Sequence, residues 1–197
     1  GGQMAKRVFF SFHYQDVIDF RANVVRNHWR LKPNRQDAGF FDASLWETTQ
    51  KQGTMAIKRL INSGLEKTSV TCILIGSQTY SRKWVRYEIM KSFRRSNDMI
   101  CVHINSVKDK FGNTKQKGYN PLSFLGVTYS DSGRTATLWE KNSNRWTKYS
   151  EIGGSASYQI NPVPQQYRGK GYNFSKWYSV FDWVTDDGFN NFSEWVG

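Results

Sequence analysis

A single carboxylate lies in a basic and aromatic stretch of this sequence, where it could do chemistry. Residues 81–90 read S-R-K-W-V-R-Y-E-I-M, so Glu88 has three cationic residues around it. If this stretch is helical, Trp84 and Glu88 are four positions apart and their side chains are neighbours at the border of an apolar stripe. A carboxyl group beside a Trp is partly desolvated, and Arg82 or Arg86 could keep it ionised. Such a carboxylate can stabilise positive charge in a reaction.

The same spacing has a simpler interpretation. Trp and Glu four positions apart form a weak pattern, and Glu88 could be a solvated helix charge that pairs with a neighbouring Arg and has no further role. Spacing alone favours this simpler interpretation. The position of Glu88 in the fold distinguishes the two interpretations, and that position depends on the neighbouring helices and strands.

Apolar segments that alternate with amphipathic ones predict a parallel sheet flanked by helices. Residues 69–76 and 99–105 are almost wholly apolar at their centres, which is typical of strands buried on both faces. Together with a strand over 6–12, the alternation of strands and helices favours a doubly wound α/β sheet. The other elements predicted in this half are a helix over 16–29 that Asp16 caps, a short strand within 40–47, a helix over 54–64 and a helix that Ser81 caps.

The second half of the chain differs in character from the first. We expect residues 4–107 to form the α/β core, and residues 108–197 to be an aromatic-rich C-terminal elaboration that packs on it as one structural unit. Residues 1–3 are expected to be a cloning remnant before a natural start at Met4. The elements predicted in the second half are a basic loop over 108–118, a hairpin over 137–149 that turns at 142–144, a helix over 175–188 and a docked closing segment.

The net charge indicates an anionic partner without identifying it. The chain of 197 residues carries 28 Lys and Arg against 16 Asp and Glu, which gives a net charge of +12. Nucleic acid, a basic soluble surface and a basic rim around a small anionic ligand all fit this balance. No nucleic-acid motif is visible, and the cations of the helix over 81–95 spread around it instead of forming one face. We therefore expect no nucleic-acid partner.

Cysteine, histidine and hydropathy patterns narrow the class of protein. Cys72 and Cys101 both lie in apolar runs, which favours reduced core thiols in a cytosolic protein over a disulfide or a metal pair. The spacing of His13, His28 and His103 is not that of metal ligands, so no metal site is predicted. No apolar run approaches the roughly 20 residues that span a bilayer. We expect a cytoplasmic protein without a membrane partner.

Three segments are predicted to meet where a ligand would bind. Open parallel sheets bind ligands at the carboxyl ends of their strands, near the point where the strand order reverses. The first strand ends at Ser11 and His13, the segment 41–47 closes the second element, and the third strand leads into the helix that carries Glu88. This convergence at one cleft makes Glu88 a candidate for chemistry.

Two motifs resemble those of TIR domains. V-F-F-S-F-H-Y-Q-D at 8–16 is similar to their first box, and W-V-R-Y-E at 84–88 is similar to the stretch in which NAD-consuming TIR enzymes carry a catalytic glutamate. Longer stretches resemble a narrower family, ThsB, the TIR-like proteins of the bacterial Thoeris anti-phage system. The resemblance runs from Met4 to the C-terminus and includes F-D-A-S-L-W-E at 41–47, S-V-T-C-I-L-I-G-S-Q-T-Y at 69–80 and D-W-V-T-D-D-G-F-N-N-F-S-E-W-V at 182–196.

The resemblance implies a fold, a reaction and a site. The implied fold is the flavodoxin-like TIR fold, and Glu88 is the implied catalytic residue. The reaction converts NAD+, as the substrate and without a cofactor or metal, into a cyclic ADP-ribose isomer. The residues expected around the nucleotide, whose aromatic rings could fold the dinucleotide back on itself, are Phe9, Ser11, Phe12, His13, Asp42, Trp46 and Trp84.

The resemblance also implies partners. An unknown phage-derived signal triggers the reaction, and the diffusible product activates a separate effector, ThsA, which depletes NAD+ and halts the infected cell. TIR domains commonly act in assemblies, which allows a homo-oligomer. Two other functions stay open: a non-catalytic TIR-like adaptor that binds partners through its loops, and a basic nucleic-acid-binding module. Only the enzyme requires the carboxylate of Glu88.

Overall fold

The structure is a computed structural model that describes residues 6–30, 35–37, 41 and 43–197. Its strands are β1 (Lys6–Ser11), β2 (Arg35–Asp37), β3 (Val70–Ile75), β4 (Asp98–His103), β5 (Leu125–Tyr129), β6 (Thr135–Asn142), β7 (Arg145–Lys148), β8 (Ser157–Gln159), β9 (Gly171–Asn173) and β10 (Val180–Asp182). Its helices are α1 (Tyr14–Ile18), α2 (Arg21–Arg30), α3 (Ala43–Lys51), α4 (Thr54–Leu65), α5 (Lys83–Arg94) and α6 (Gly188–Val196). In this part of the chain, no helix combines the length and the apolar character needed to cross a membrane.

A parallel sheet organises the first part of the chain. Within the described residues its strand order is β10-β4-β3-β1-β2, and every neighbouring pair is parallel. The order reverses between β1 and β3, as in flavodoxin-like folds, and this confirms the predicted α/β fold class. Ser11 pairs with Ile73, and Ile75 pairs with His103, so the carboxyl ends of β1, β3 and β4 lie along one edge.

Apolar strands and aromatic rings form the core of this sheet. All six residues of β3 are buried, as the apolar run predicted. The closing segment forms α6, and its Phe192 packs on the core ring of Phe10 at a centroid distance of 6.4 Å. Trp29 of α2 meets the same Phe192 edge-on at 5.6 Å. The prediction of a docked chain end is therefore confirmed.

Two predicted elements near β1 differ from the structure. The helix expected over 16–29 is divided into α1 and α2, because Phe20 adopts a left-handed backbone conformation with φ of 64°. Asp16 consequently lies inside α1 and does not cap a helix. The short strand expected within 40–47 is wrong where the structure describes it, since Ala43–Lys51 is helical.

The start of α5 also differs from the prediction. The helix begins at Lys83, and Ser81 belongs to a short 3-10 turn before it. The hydroxyl of Ser81 donates to the carbonyl of Gln78 at 3.2 Å, so Ser81 is not the N-cap. The Trp84–Glu88 spacing on the helix is unchanged by this correction.

The helix predicted over 175–188 is wrong. Residues 180–182 form β10, where Val180 pairs with Cys101 of β4. The carboxylate of Asp182 accepts hydrogen bonds from the backbone N–H groups of Val184 and Thr185, both at 3.0 Å. A side chain that binds the backbone in this way competes with helix formation.

The described residues divide into two compact units. The first consists of the chain up to Tyr119 together with Ser179–Gly197, and the second is Asn120–Tyr178. The last strand and helix of the segment 108–197 thus belong to the first unit. That residues 108–197 pack on the core as one structural unit stays a prediction.

The second unit is an antiparallel sheet. In residues 120–178, all of which the structure describes, the strand order is β7-β6-β5-β9, with β8 also paired to β6. The predicted hairpin is confirmed: Asn142 pairs with Arg145, and the two turn residues Ser143 and Asn144 have φ of 48° and 63°. Positive φ at both central residues is typical of the type I′ turns that join twisted strands.

In the first unit, the basic loop after β4 is fastened over the carboxyl edge of the sheet. Arg21 is 1% exposed, and its guanidinium donates to the carbonyls of Val107 and Asn113 at 2.9 and 2.8 Å. Farther along the loop, Gly118 lies against β3: a Cβ at Gly118 would stand 2.2 Å from the carbonyl oxygen of Gly76. The loop therefore approaches the sheet edge as closely as a residue without a side chain allows.

We predict that Gly118→Ala destabilises the protein by about 1–3 kcal/mol, because the added methyl group forces the loop away from Gly76. Urea unfolding followed by circular dichroism measures the change. Lys117→Ala at the neighbouring exposed position is the control and should be near neutral. Equal stability of Gly118→Ala and the wild type would contradict the close approach.

Candidate active site

Glu88 is buried on the face of α5 that meets the sheet. Its exposed fraction is 4%, and the hydroxyl of Ser11 at the end of β1 donates to its Oε1 atom at 3.3 Å. Val85 and Ile89, on the same helix, are buried beside it. The interpretation of Glu88 as a solvated surface charge is therefore wrong.

A chain of buried polar groups fastens the helix of Glu88 to β3. The side-chain amide of Asn97 donates to the Thr71 hydroxyl at 3.2 Å, and the hydroxyls of Thr71 and Ser92 are 2.7 Å apart. Ser92 Oγ in turn donates to the backbone carbonyl of Glu88 at 2.7 Å. Because buried polar groups need partners, this chain fixes how α5 sits on the sheet and hence where the carboxyl of Glu88 lies.

Two cavities with common walls lie beside this carboxyl. Phe12, Tyr14 and Trp46 line both of them. The inner cavity has a volume of about 20 Å³, and its other lining residues are Phe10, Phe41 and Glu88. The outer cavity has a volume of about 240 Å³, and its other lining residues are His13, Gln50, Arg82, Lys83, Trp84 and Val85.

The inner cavity keeps Glu88 away from bulk water. A volume of about 20 Å³ holds roughly one water molecule and no ribose. Aromatic side chains form most of its wall, so the carboxyl faces a medium of low dielectric constant. A ribose therefore does not fit beside Glu88 in the cavity as described.

Burial controls the protonation of Glu88. Loss of hydration raises the pKa of this carboxyl well above its ordinary range, and the hydrogen bond from Ser11 opposes the rise. The expectation that Arg82 or Arg86 would hold it ionised differs from the structure. The Nε atom of Arg86 donates to the Tyr80 carbonyl at 3.1 Å, and the guanidinium of Arg82 donates to the side chain of Gln78.

The mouth of the outer cavity is positively charged although its histidine is neutral. Burial, Arg82 and Lys115 lower the pKa of His13 to about 4. Arg82 and Lys83 line the same cavity, and the Lys83 ammonium lies 5.0 Å from the ring centroid of Trp84. A neutral imidazole next to fixed cations can accept or donate one hydrogen bond without adding charge.

The structure brings most of the predicted site residues together. Ser11 contacts Glu88 directly, while Phe12, His13, Trp46 and Trp84 line the cavities. That these residues contact a nucleotide stays a prediction.

Two predicted site residues remain, and the structure describes one of them. Phe9 is fully buried, meets Phe41 edge-on at a centroid distance of 5.8 Å and is absent from the described lining of both cavities. It packs against Phe41, which lines the inner cavity, and its contact with a nucleotide stays a prediction. Asp42 lies outside the described residues.

Sequence reasoning missed several lining residues. Tyr14 lines both cavities, and its hydroxyl donates to the carboxylate of Glu47 on α3. Gln50 lies four positions after Trp46 on α3, so the correct helix assignment would have predicted that both share a face. Phe41 was within the segment expected at the cleft, but its place beside Glu88 depends on tertiary packing.

Metal-binding groups are not part of this site as described. Across the described residues, no three His, Cys, Asp or Glu side chains are grouped so that they could hold a metal ion. Cys72 and Cys101 are buried free thiols in β3 and β4, and burial raises the pKa of both. That the reaction uses no metal or cofactor stays a prediction.

The fold and the site together define a class of protein. A flavodoxin-like sheet, a polar end of β1 and a buried glutamate on the helix after β3 are the features expected of a TIR-like domain. Comparison with known proteins places the chain more narrowly. Residues 9–109 match the family described as "Thoeris protein ThsB, TIR-like domain".

A curated relative matches almost the whole chain. It comes from Bacillus cereus strain MSX-D12, bears the name "Putative cyclic ADP-D-ribose synthase ThsB1" and is 58% identical over 194 residues. The alignment covers 98% of this chain and 100% of the relative. The chain therefore belongs to the ThsB family of Thoeris proteins, as the resemblance predicted.

We predict that Glu88→Gln stabilises the protein at neutral and alkaline pH. Because the folded state raises the pKa of Glu88, the wild type loses stability as pH rises above the ordinary value of 4.5, whereas Gln carries no proton to lose. Melting temperatures across a pH series measure the effect, and the two proteins should converge near pH 4.5 and below. Glu66→Gln, at an exposed position after α4, is the matched control. A pH-independent difference between Glu88→Gln and the wild type would count against a raised pKa.

Proposed function

We propose that this chain is an anti-phage enzyme that cleaves NAD+ at the nicotinamide–ribose bond and cyclises the remainder to a cyclic ADP-ribose isomer. Infection by phage triggers the reaction through a signal of phage origin. The product is a second messenger that activates a separate NAD-depleting effector of the ThsA type. The observation that carries the proposal is Glu88, a buried carboxyl at the base of an aromatic cavity. Membership of the ThsB family and the name of the curated relative support it.

The first chemical step suits a single buried carboxylate. The bond between the ribose anomeric carbon and the nicotinamide nitrogen breaks, and its electron pair neutralises the cationic pyridinium ring. The ribose is left with oxocarbenium character, which the negative charge of Glu88 stabilises across a medium of low dielectric constant. Nicotinamide leaves as a neutral molecule, so no general acid is required.

The charge of the substrate favours the ionised form of Glu88, which the cleavage step requires. In the absence of a ligand, burial favours the neutral carboxyl of Glu88. A cationic nicotinamide ring held nearby favours the ionised form and lowers the pKa of Glu88. The site thereby couples ionisation of the carboxylate to the arrival of a positively charged substrate.

Cyclisation requires a nucleophile from the same molecule and the exclusion of water. A hydroxyl of the adenosine ribose or a nitrogen of adenine attacks the anomeric carbon, and a hydroxyl then gives up its proton to a base or to solvent. The rings of Trp46 and Trp84 offer stacking surfaces that fold the dinucleotide back on itself. Arg82 and Lys83 at the mouth suit its pyrophosphate.

The small inner cavity accounts for a requirement for a trigger. A volume of about 20 Å³ does not admit the ribose that must meet Glu88. A signal that displaces Phe12, Tyr14 or Trp46 would connect the outer cavity with the carboxyl. Rearrangement within an assembly of several copies is one way to supply that displacement, so we include a homo-oligomer among the active forms.

A non-catalytic adaptor is the alternative function. It fits the family fold equally well, because an adaptor also uses loops around a TIR-like sheet. It gives no reason to bury a carboxyl with one hydrogen-bond partner from Ser11, a placement that costs stability at neutral pH. The unfavourable burial of Glu88 therefore favours the enzyme.

We predict that Glu88→Gln keeps the fold and abolishes the messenger. The experiment is mass spectrometry of filtered lysates from phage-infected cells that express this chain, which also identifies the linkage of the cyclic product. A loss of at least about 100-fold is expected, because the amide cannot supply the negative charge. Glu66→Gln is the control and should leave the product unchanged. Wild-type product levels from Glu88→Gln would exclude the enzymatic role.

We predict that Trp46→Ala changes the product more than the rate of NAD+ loss. Without this wall the dinucleotide is held less well and water reaches the anomeric carbon, so linear ADP-ribose should rise relative to the cyclic product. The ratio is measured in the same lysates. Leu45→Ala, at the exposed neighbouring position, is the control. An unchanged ratio at reduced total turnover would show that Trp46 only supports the fold.

A further inference from the structure

The second unit carries an aromatic and basic sheet surface that the proposed reaction does not use. A groove of about 300 Å³ lies on its antiparallel sheet. That volume is at the lower end of the roughly 300–1,000 Å³ typical of ligand sites. Its lining includes Trp139, Trp146, Thr128, Gly126 and Gly171.

Strand register separates the two faces of this sheet. Leu125, Val127, Ala136 and Leu138 are buried and form the inner face. The alternate positions form the outer face, which we call the Trp–Lys face. It carries Trp139, Lys141, Trp146 and Lys148 on the hairpin, together with Gly126 and Gly171 on the neighbouring strands.

Tryptophan and lysine alternate across the hairpin on this face. Trp139 pairs with Lys148, and Lys141 pairs with Trp146, so each ring has a lysine directly opposite. The Lys148 ammonium lies 5.9 Å from the ring centroid of Trp139. Trp139 is oriented by a hydrogen bond of 2.8 Å from its Nε1 atom to the Thr128 hydroxyl, whereas Trp146 is 41% exposed. One ring is thus fixed and the other is available to a ligand.

Glycines on β5 and β9 leave the sheet surface next to the hairpin without side chains at two positions. A Cβ at Gly126 would stand 2.7 Å from the carbonyl oxygen of Tyr172, and one at Gly171 would stand 3.1 Å from a methyl carbon of Thr128. The close approach of the strands therefore explains why glycine occupies both positions. Without side chains at these positions, the sheet surface beside the tryptophans is flat and open. A planar ligand group can lie on this surface and stack against a tryptophan ring.

The charge of the second unit identifies the class of ligand. Residues 120–178 contain seven Lys and Arg and three acids, and the Trp–Lys face itself has no Asp or Glu at its positions in these fully described strands. Stacking rings with interleaved cations and no acid are the combination that binds single-stranded nucleic acid, in which bases stack on aromatics and phosphates meet lysines. A groove for a proline-rich peptide also uses aromatic rings, but it has no need of the cations.

We infer that the Trp–Lys face binds single-stranded nucleic acid, with bases stacked on Trp146 and Trp139 and the backbone along Lys141 and Lys148. The expectation of no nucleic-acid partner was based on the absence of a nucleic-acid motif and on the dispersed cations of the helix over 81–95. The surface that carries this inference is built by β5, β6, β7 and β9 and lies wholly in the second unit. The inference does not rest on the chemistry proposed at Glu88.

Fluorescence anisotropy of the full chain with labelled single strands of about twelve nucleotides tests the inference. Separate DNA and RNA strands distinguish the two sources of the same chemistry. Wild type should bind single strands more tightly than a duplex of the same sequence, with quenching of tryptophan fluorescence. Trp146→Ala should weaken binding about 5- to 150-fold, the range for loss of one stacked base, and Trp146→Phe should recover most of it.

Matched controls separate stacking from general charge. Phe189→Ala removes an exposed aromatic residue of the first unit and should leave affinity unchanged. Lys148→Gln should reduce the slope of log affinity against log salt by about 0.7, whereas Lys108→Gln should not. Glu88→Gln should bind like the wild type. The inference is overturned by absence of saturable binding at low salt, by equal affinity for duplex, by equal effects of Trp146→Ala and Phe189→Ala, or by capture of proline-rich peptide without any oligonucleotide binding.

Discussion

The desolvation of one carboxyl group is the constraint on which the site depends. A carboxylate loses most of its hydration energy when it is buried, and Glu88 has one side-chain hydrogen bond from Ser11 to offset that loss. Its position is maintained by contacts elsewhere: the Asn97–Thr71–Ser92 chain holds α5 on β3, and aromatic side chains exclude water. For the proposed reaction this burial favours a substrate with a cationic group, because a positive charge nearby offsets the desolvation of the carboxylate.

The site has two electrostatic layers of opposite character. The inner layer is the dry carboxyl of Glu88, and the outer layer is the mouth with Arg82, Lys83 and a neutral His13. The proposed substrate has the same order of charge, since its nicotinamide end is cationic and its pyrophosphate is anionic. Lys115 contributes to the outer layer from the loop after β4, and its ammonium is paired with Asp19. The loop thus belongs to the site as well as to the fold.

The sequence predicts those parts of the fold and of the site that are determined by residues adjacent in the chain. The apolar run of β3 and the turn between β6 and β7 are written in adjacent residues, and both predictions are confirmed. β10 was missed because it forms by pairing with β4, which is distant in sequence, and α3 was missed because its residues were assigned to a strand. The same holds at the site: the Trp84–Glu88 spacing was visible, but the burial of Glu88 depends on α5 packing against β1. Phe9 packs against Phe41 in the core, and no local sequence pattern indicates this contact.

Exclusion of water and access of substrate oppose each other at Glu88. A carboxylate in an open cleft would be hydrated, would stabilise an oxocarbenium centre less and would let water compete with the internal nucleophile. The inner cavity of about 20 Å³ limits the water at Glu88, and it is also too small for the ribose of the proposed substrate. In the proposed reaction the aromatic walls must therefore move before cleavage, so the exclusion of water that cyclisation requires also restrains the activity at rest. Such a restraint suits the proposed product, because a messenger that activates an NAD-depleting effector must not form before infection.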